Sequence, residues 1–164
     1  MALLKQTFRD SISRIWLPES DRFLGRPKEP TTASFYWSQA FGDYFAQVTP
    51  SSTTVLAARV ELSRSLAQVF SRNRDDARRM GEALDRFALA VAGGMQPAFT
   101  ATPPIPFPVE SLVEAARLLP WRMTADGPQP DYPSGLALWV DAVDAWARTG
   151  TATSNGSGGV IPWS

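Results

Sequence analysis

The sequence contains no cysteine and no histidine. Without them there is no thiolate nucleophile, no imidazole general base, no soft-metal site, and no Ser-His-Asp or Cys-His arrangement. A chain free of cysteine is compatible with any redox compartment. Excess charge of either sign is also missing: sixteen basic residues balance sixteen acidic ones, so no overall field steers the molecule toward nucleic acid or an anionic membrane. Long apolar runs are missing too. The longest uncharged apolar stretch, roughly Phe87 to Phe99, is broken by Gly93, Gly94 and Pro97 and is too short to span a bilayer. Charges at every fourth or fifth position of the first ten residues leave no apolar heart for a secretory signal.

What is present suffices for a core. At 164 residues, 44% apolar and 20% charged, the chain has one domain's length and enough apolar surface to offset ordering entropy. Arginine outnumbers lysine fourteen to two, read here as codon bias.

Helical periodicity organises most of the length. In residues 2–16, Leu4, Phe8, Ile12 and Ile15 share one face, and Pro18 ends the helix. Prolines and Gly25 make 18–30 a linker, so that 1–30 reads as an N-terminal amphipathic helix and arm. A helical body over 31–150 follows. Phe35, Tyr36, Trp37, Phe41, Tyr44 and Phe45, one third of all the aromatics, crowd a single span, with Trp37, Phe41, Tyr44 and Val48 at helical spacing and Pro50 as the stop. Ser51 or Ser52 offers an N-cap to a helix carrying Val55, Leu62, Leu66 and Val69 through Arg72. Asn73, Asp75 and Asp76 begin another, bearing Ala77, Met80, Leu84, Phe87 and Val91 up to Gly93-Gly94, and the two could be continuous. Five prolines in 95–108 predict a structured extended crossing. A short helix from Val109 to Leu119 and a loop over 120–133 come next. The last helix begins at a Ser134 cap, buries Leu136, Trp139, Val140, Val143 and Trp146, and closes at Gly150. Residues 151–164 read as an extended Gly/Ser tail ending in an apolar knob, Val160-Ile161-Pro162-Trp163. The fold class expected is all-α: an irregular bundle of five or six helices with Pro-rich crossings and extended terminal arms. A weak internal echo joins Thr100-Ala101-Thr102 and Ile105-Pro106-Phe107 to Thr151-Ala152-Thr153 and Ile161-Pro162-Trp163.

Carboxylates are the side chains left for acid or base chemistry. The pairs Asp75/Asp76, Glu82/Asp85 and Asp141/Asp144 sit where helix starts and solvated faces are expected, with no nucleophile, glycine-rich loop or calcium-loop spacing beside them. No catalytic, cofactor or metal residue is assigned, and no enzyme is expected. Arginines 59, 64, 72, 74, 78, 79 and 86 raise a phosphate-binding reading, but Glu61, Asp75, Asp76, Glu82 and Asp85 interleave with them and favour ion-paired helix surfaces. Apolar residues at both ends and in the aromatic cluster point instead to protein contacts: Leu4, Phe8, Ile12, Trp16, Phe35, Tyr36, Trp37, Val160, Ile161, Pro162 and Trp163.

The composite of Gly93-Gly94, Thr102-Pro103-Pro104-Ile105-Pro106 and Ile161-Pro162-Trp163-Ser164 resembles small structural proteins of bacteriophage particles, over about the C-terminal half. That resemblance implies a role in capsid, connector or tail architecture, in a virion assembled in the host cytoplasm. The expectation is a non-enzymatic assembly component bound to other protein subunits, including copies of itself; membrane and nucleic-acid partners are not expected. The alternative is a small helical regulatory or nucleic-acid-associated protein using the Arg-rich 59–86 helices.

Overall fold

The computed structural model describes residues 3–72, 77–110, 121–125 and 127–164. Five helices carry most of it: α1 (Lys5–Trp16), α2 (Pro30–Phe45), α3 (Val55–Arg72), α4 (Ala77–Gly93) and α5 (Tyr132–Ala147). Five short strands accompany them: β1 (Phe99–Thr102), β2 (Trp121–Thr124), β3 (Gly127–Pro130), β4 (Thr151–Ser154) and β5 (Val160–Pro162). The fold is therefore mostly helical but not all-α. None of the described helices is long and apolar enough to cross a membrane.

In α1, Phe8, Ile12 and Ile15 form the buried face. Leu4, placed first in that stripe by the sequence, precedes the helix and stays 57% exposed, while Leu3 is buried in its stead. Leu17 is extended before Pro18, as the proline ring requires of its predecessor. Residues 17–29 form no helix or strand, yet they are not a free arm. Ser20 and Phe23 exchange two backbone hydrogen bonds and the Leu24 N–H reaches back to the Arg14 carbonyl at 2.8 Å. Pro30 opens α2 at its first turn, where its missing N–H costs nothing. Ala40, Phe41, Tyr44 and Phe45 on α2 are all buried.

Helices α3 and α4 run antiparallel, so they are two helices folded back and not one. The loop before α3 fixes this arrangement. Its hydroxyls do not cap their own helix, as expected of Ser51 or Ser52; they cap the end of α4. Ser52 Oγ donates to the Val91 carbonyl and Thr54 Oγ1 to that of Ala90, both at 2.6 Å, and Thr53 donates to Gly94 O through N and Oγ1. Those are orphan carbonyls that a helix end must satisfy. Gly94 is needed for the approach, since a Cβ there would fall 2.3 Å from both Ser52 Oγ and Thr54 Oγ1. The expected cap Asn73 with Asp75 and Asp76, and most of the expected helix Val109 to Leu119, lie outside the described residues.

The Pro-rich crossing is ordered as predicted but contains β1, a strand that the prolines hid. The loop expected over 120–133 contains an antiparallel β2–β3 hairpin. Helix α5 starts two residues before the expected Ser134 cap: Asp131 occupies the cap position and accepts hydrogen bonds from Ser134 N and Oγ. Its predicted inner face, Leu136, Trp139, Val140, Val143 and Trp146, is buried in full.

Strands β1, β4 and β5 make one antiparallel sheet in that order. The Gly/Ser-rich segment is thus paired structure and not an extended tail. The two Thr-Ala-Thr triplets of the internal echo are direct partners, Thr100 opposite Thr153 and Thr102 opposite Thr151. Ala152 at the sheet's centre is buried, closing that side of the core.

One aromatic cluster runs through the interior, with Phe8, Phe41, Tyr44, Phe45, Trp139 and Trp163 its largest fully buried side chains. Fully burying a side chain such as Phe contributes about 1.5–3 kcal/mol, so this cluster dominates the packing.

Candidate functional site

The eleven side chains expected to face a partner divide sharply. On α1, Phe8 and Ile12 are fully buried, and Phe8 packs on Phe41 and Tyr44 with ring centroids 5.0 and 5.6 Å apart. Their partner is this chain's own core, and the expectation is corrected accordingly. An amphipathic stripe cannot itself say which surface covers it, and here α2 and α5 do. Trp16 is half-buried: it lies parallel to Trp139 at 6.4 Å, and its indole N–H donates to the Tyr132 carbonyl. Trp37 fits edge-on against both Trp16 and Trp139. Tyr36 is also half-buried, leaving Phe35, 55% exposed and edge-on to Tyr36, as the open member of the aromatic cluster.

The C-terminal knob divides in the same way, residue by residue. Trp163 is 1% exposed and lies in the core, another correction, whereas Val160 is 66% exposed and Ile161 and Pro162 are also exposed. The pleat of β5 only partly accounts for this split. Ile161 stands opposite Ala152 on the core side of the sheet and Val160 opposite Thr153 on the outer side, yet the short strand leaves Ile161 partly uncovered.

Main-chain atoms supply hydrogen bonds that hold Trp163 and Ser164 in place. Trp163 N donates to Gly150 O at 2.9 Å and its Nε1 to Thr151 O at 3.1 Å. Thr49 N donates to Ser164 O at 2.8 Å, and Ser164 N donates back to Thr49 O at 3.3 Å. Phe45 meets the indole edge-on at 6.2 Å. Gly150 is predicted by sequence as a helix stop, but its φ is not positive and its role is steric: a Cβ there would sit 2.5 Å from the indole Cδ2. Sequence reasoning missed Gly150 and Thr49 as parts of this pocket. The one signal available was the alternation of Val160 and Pro162 with Ile161 and Trp163.

Several of the described polar groups bind within the fold, while Asp75 and Asp76 lie outside the described residues. Tyr44, buried under α5, donates its hydroxyl to Asp144 Oδ1 at 2.5 Å, while Arg148 Nε donates to Asp144 Oδ2 and its Nη2 to the Leu3 carbonyl. Burial, reinforced by the bond to Asp144, holds the Tyr44 hydroxyl protonated well above the usual tyrosine range. Burial also pushes the Asp144 carboxyl upward, but the hydrogen bonds from Arg148 and Tyr44 and the charges of Arg148 and Lys5 outweigh it, so the net shift is downward. Asp141 binds Lys5 at 2.7 Å on the surface. Asp85 accepts the Phe107 N–H at 2.6 Å, and burial raises its pKa. That bond anchors Phe107, whose ring lies between Trp139 and Trp146. Of the arginines, Arg64 pairs with Glu61, Arg78 with Glu82, and Arg59 approaches Asp43. Among the described residues no three acidic side chains come together as a metal site would require. An open depression of about 370 Å³ lies between α1 and the start of α5, floored by Leu17 and Leu136 and rimmed by Arg9 and Arg22.

What the arrangement offers, then, is surface: an open sheet edge at β5 with apolar side chains, and Phe35 at the start of α2. Comparison with protein families, with curated proteins and with solved structures finds nothing that matches this chain.

Proposed function

We propose that the protein is a non-enzymatic structural component of a larger protein particle, a bacteriophage virion being the kind its sequence resembles. Its contacts are with neighbouring subunits, made through the β5 edge and the Phe35 corner, and not through free arms as the sequence alone suggested. The observation that carries this reading is the run Val160-Ile161-Pro162, three consecutive exposed apolar residues on the outermost strand of a sheet. Exposed apolar edge strands are a liability that proteins cover or blunt. Pro162 blunts this one in part, because it has no N–H to offer an incoming strand. Side-chain contact therefore dominates over ladder extension at this edge. Ion pairing on α3 and α4 makes the nucleic-acid reading the weaker of the two.

Sedimentation velocity of the full chain from micromolar to near-millimolar concentration tests the proposal. Concentration-dependent self-association, removed by the double substitution Val160→Asp and Ile161→Asp, is the expected result. A strict monomer throughout, which also fails to bind any other component of its particle, would overturn it.

A further inference from the structure

The slot that holds Trp163 has a ligand whose chemistry the structure displays in full: an extended Val-Ile-Pro-Trp-Ser strand. The body meets its last two residues with main-chain atoms, among them Gly150 O, Thr151 O, and Thr49 N and O. Shape is read by Gly150, where any Cβ would strike the indole, and by the Phe45 ring. None of these groups belongs to the segment that tethers the strand to the body.

The tether itself is divided into an anchor and a pivot. Asn155 is clamped to β1 and the two residues before it: its N donates to Ala98 O, its Nδ2 to Pro97 O at 2.6 Å, and its Oδ1 accepts from Thr100 Oγ1 at 2.8 Å. Beyond it, Gly156, Ser157, Gly158 and Gly159 are exposed, with Gly158 at φ +70°, and only Ser154 and short-range contacts hold the turn. Glycine makes such a segment cheap to straighten as well as to fold. If the turn opens, Asn155 keeps the near end fixed while the strand swings out, reaching about 20 Å from Ser154 at full extension.

We propose that this slot is a binding site for the Val160–Ser164 segment of a second copy, so that neighbouring subunits are joined by exchanging their β5 strands. The inference rests on the reading of the protein as an assembly component and names the partner as the chain itself. Exchange remakes the same contacts, hence it carries no intrinsic cost in bonding. Its competitor is the chain's own strand, whose short tether gives an effective concentration of order millimolar. Isolated copies in dilute solution therefore remain closed, and exchange sets in where copies are packed at comparable local concentration, as they are within a particle.

Two experiments on the full chain test this. The first uses Trp163→Ala, which empties the slot, and the peptide Ser-Gly-Gly-Val-Ile-Pro-Trp-Ser as probe. The peptide is expected to raise the thermal midpoint of the variant by about 3 °C at saturation, while the same peptide with alanine for tryptophan does nothing. The second removes residues 155–159, leaving only Ser154 between the paired residues Thr153 and Val160, too short for the hairpin to close within one chain. A dimer is expected, and adding Trp163→Ala is expected to return it to monomer. No effect of the tryptophan peptide on a folded variant, or a shortened-turn chain that stays monomeric or associates regardless of Trp163, overturns the exchange. Self-association that needs Val160 and Ile161 but occurs without exchange would leave the assembly reading standing and remove this inference alone.

Discussion

The first helix and the last strand are both apolar extremities of the sequence, and both end up on the same core, but by different physics. Helix α1 inserts a whole face, Phe8, Ile12 and Ile15, and satisfies its own backbone internally. Strand β5 inserts one side chain, Trp163, and relies on main-chain bonds to Gly150, Ala152 and Thr49 for the rest. An amphipathic helix must be covered along its length to be stable at all. The last strand has far less to cover, and the proposed exchange draws on that contrast. What differs between the two ends is the number of buried side chains per segment, three on α1 against Trp163 alone.

Substitutions at the two ends should separate these behaviours. Phe8→Ala is expected to have the largest effect, lowering global stability by about 3–5 kcal/mol in denaturant titration, with every probed amide losing protection together. Trp163→Ala is expected to cost about 3 kcal/mol, at the lower end because the segment detaches instead of leaving a sealed cavity. Its signature is local: amide exchange at Ala152, Ile161 and Trp163 or its replacement accelerates well before that of α1 or α2. Uniform acceleration in both variants would erase the distinction. Gly150→Ala should cost about 1–3 kcal/mol by overpacking the indole, and a double variant with Trp163→Ala should recover most of that, since the clash disappears with the ring.

The smallest effect expected concerns the network joining α2 and the chain ahead of α1 to α5. The Asp144 pKa is depressed in the folded state, so its contribution is present above the unfolded carboxylate value of about 3.9 and is lost as pH falls through the folded value. Asp85, with its pKa raised by burial, acts in the opposite sense: it favours the fold at low pH and opposes it once ionised. Stability measured by denaturant titration between pH 2 and 7 should therefore decline toward acid less steeply in Asp144→Asn than in the parent chain. An unchanged acid limb in that variant would show that the Tyr44–Asp144–Arg148 bonds do not help hold α2 and the chain ahead of α1 against α5.

Much of the helical framework was legible in the sequence. The inner faces of α3, α4 and α5 follow the 3.6-residue period directly. Caps were read less well. Ser52 looks like an N-cap by type, but a hydroxyl bonds whichever backbone group comes within reach, and the antiparallel return of α4 brought the Val91 carbonyl to it. Strands β1, β4 and β5 were hidden because each has only three or four residues, rich in Thr, Ala and Pro, with too little alternation to separate strand from loop. Their pairing is long-range, across some fifty residues between β1 and β4, and local composition carries no trace of it. The internal echo was visible, but its physical meaning, two like triplets side by side in one sheet, was not.

By itself the sequence determined that this is a mainly helical protein, where α1 to α5 would lie, most of the residues on their buried faces, and that no thiol or imidazole chemistry is within its means. Those properties follow from residue type and local periodicity. Tertiary structure alone decided whose surface covers the apolar ends. Whether Phe8, Ile12 and Trp163 meet their own core or a neighbour's depends on where the chain returns in space, and on a glycine at position 150 that leaves room for an indole thirteen residues later.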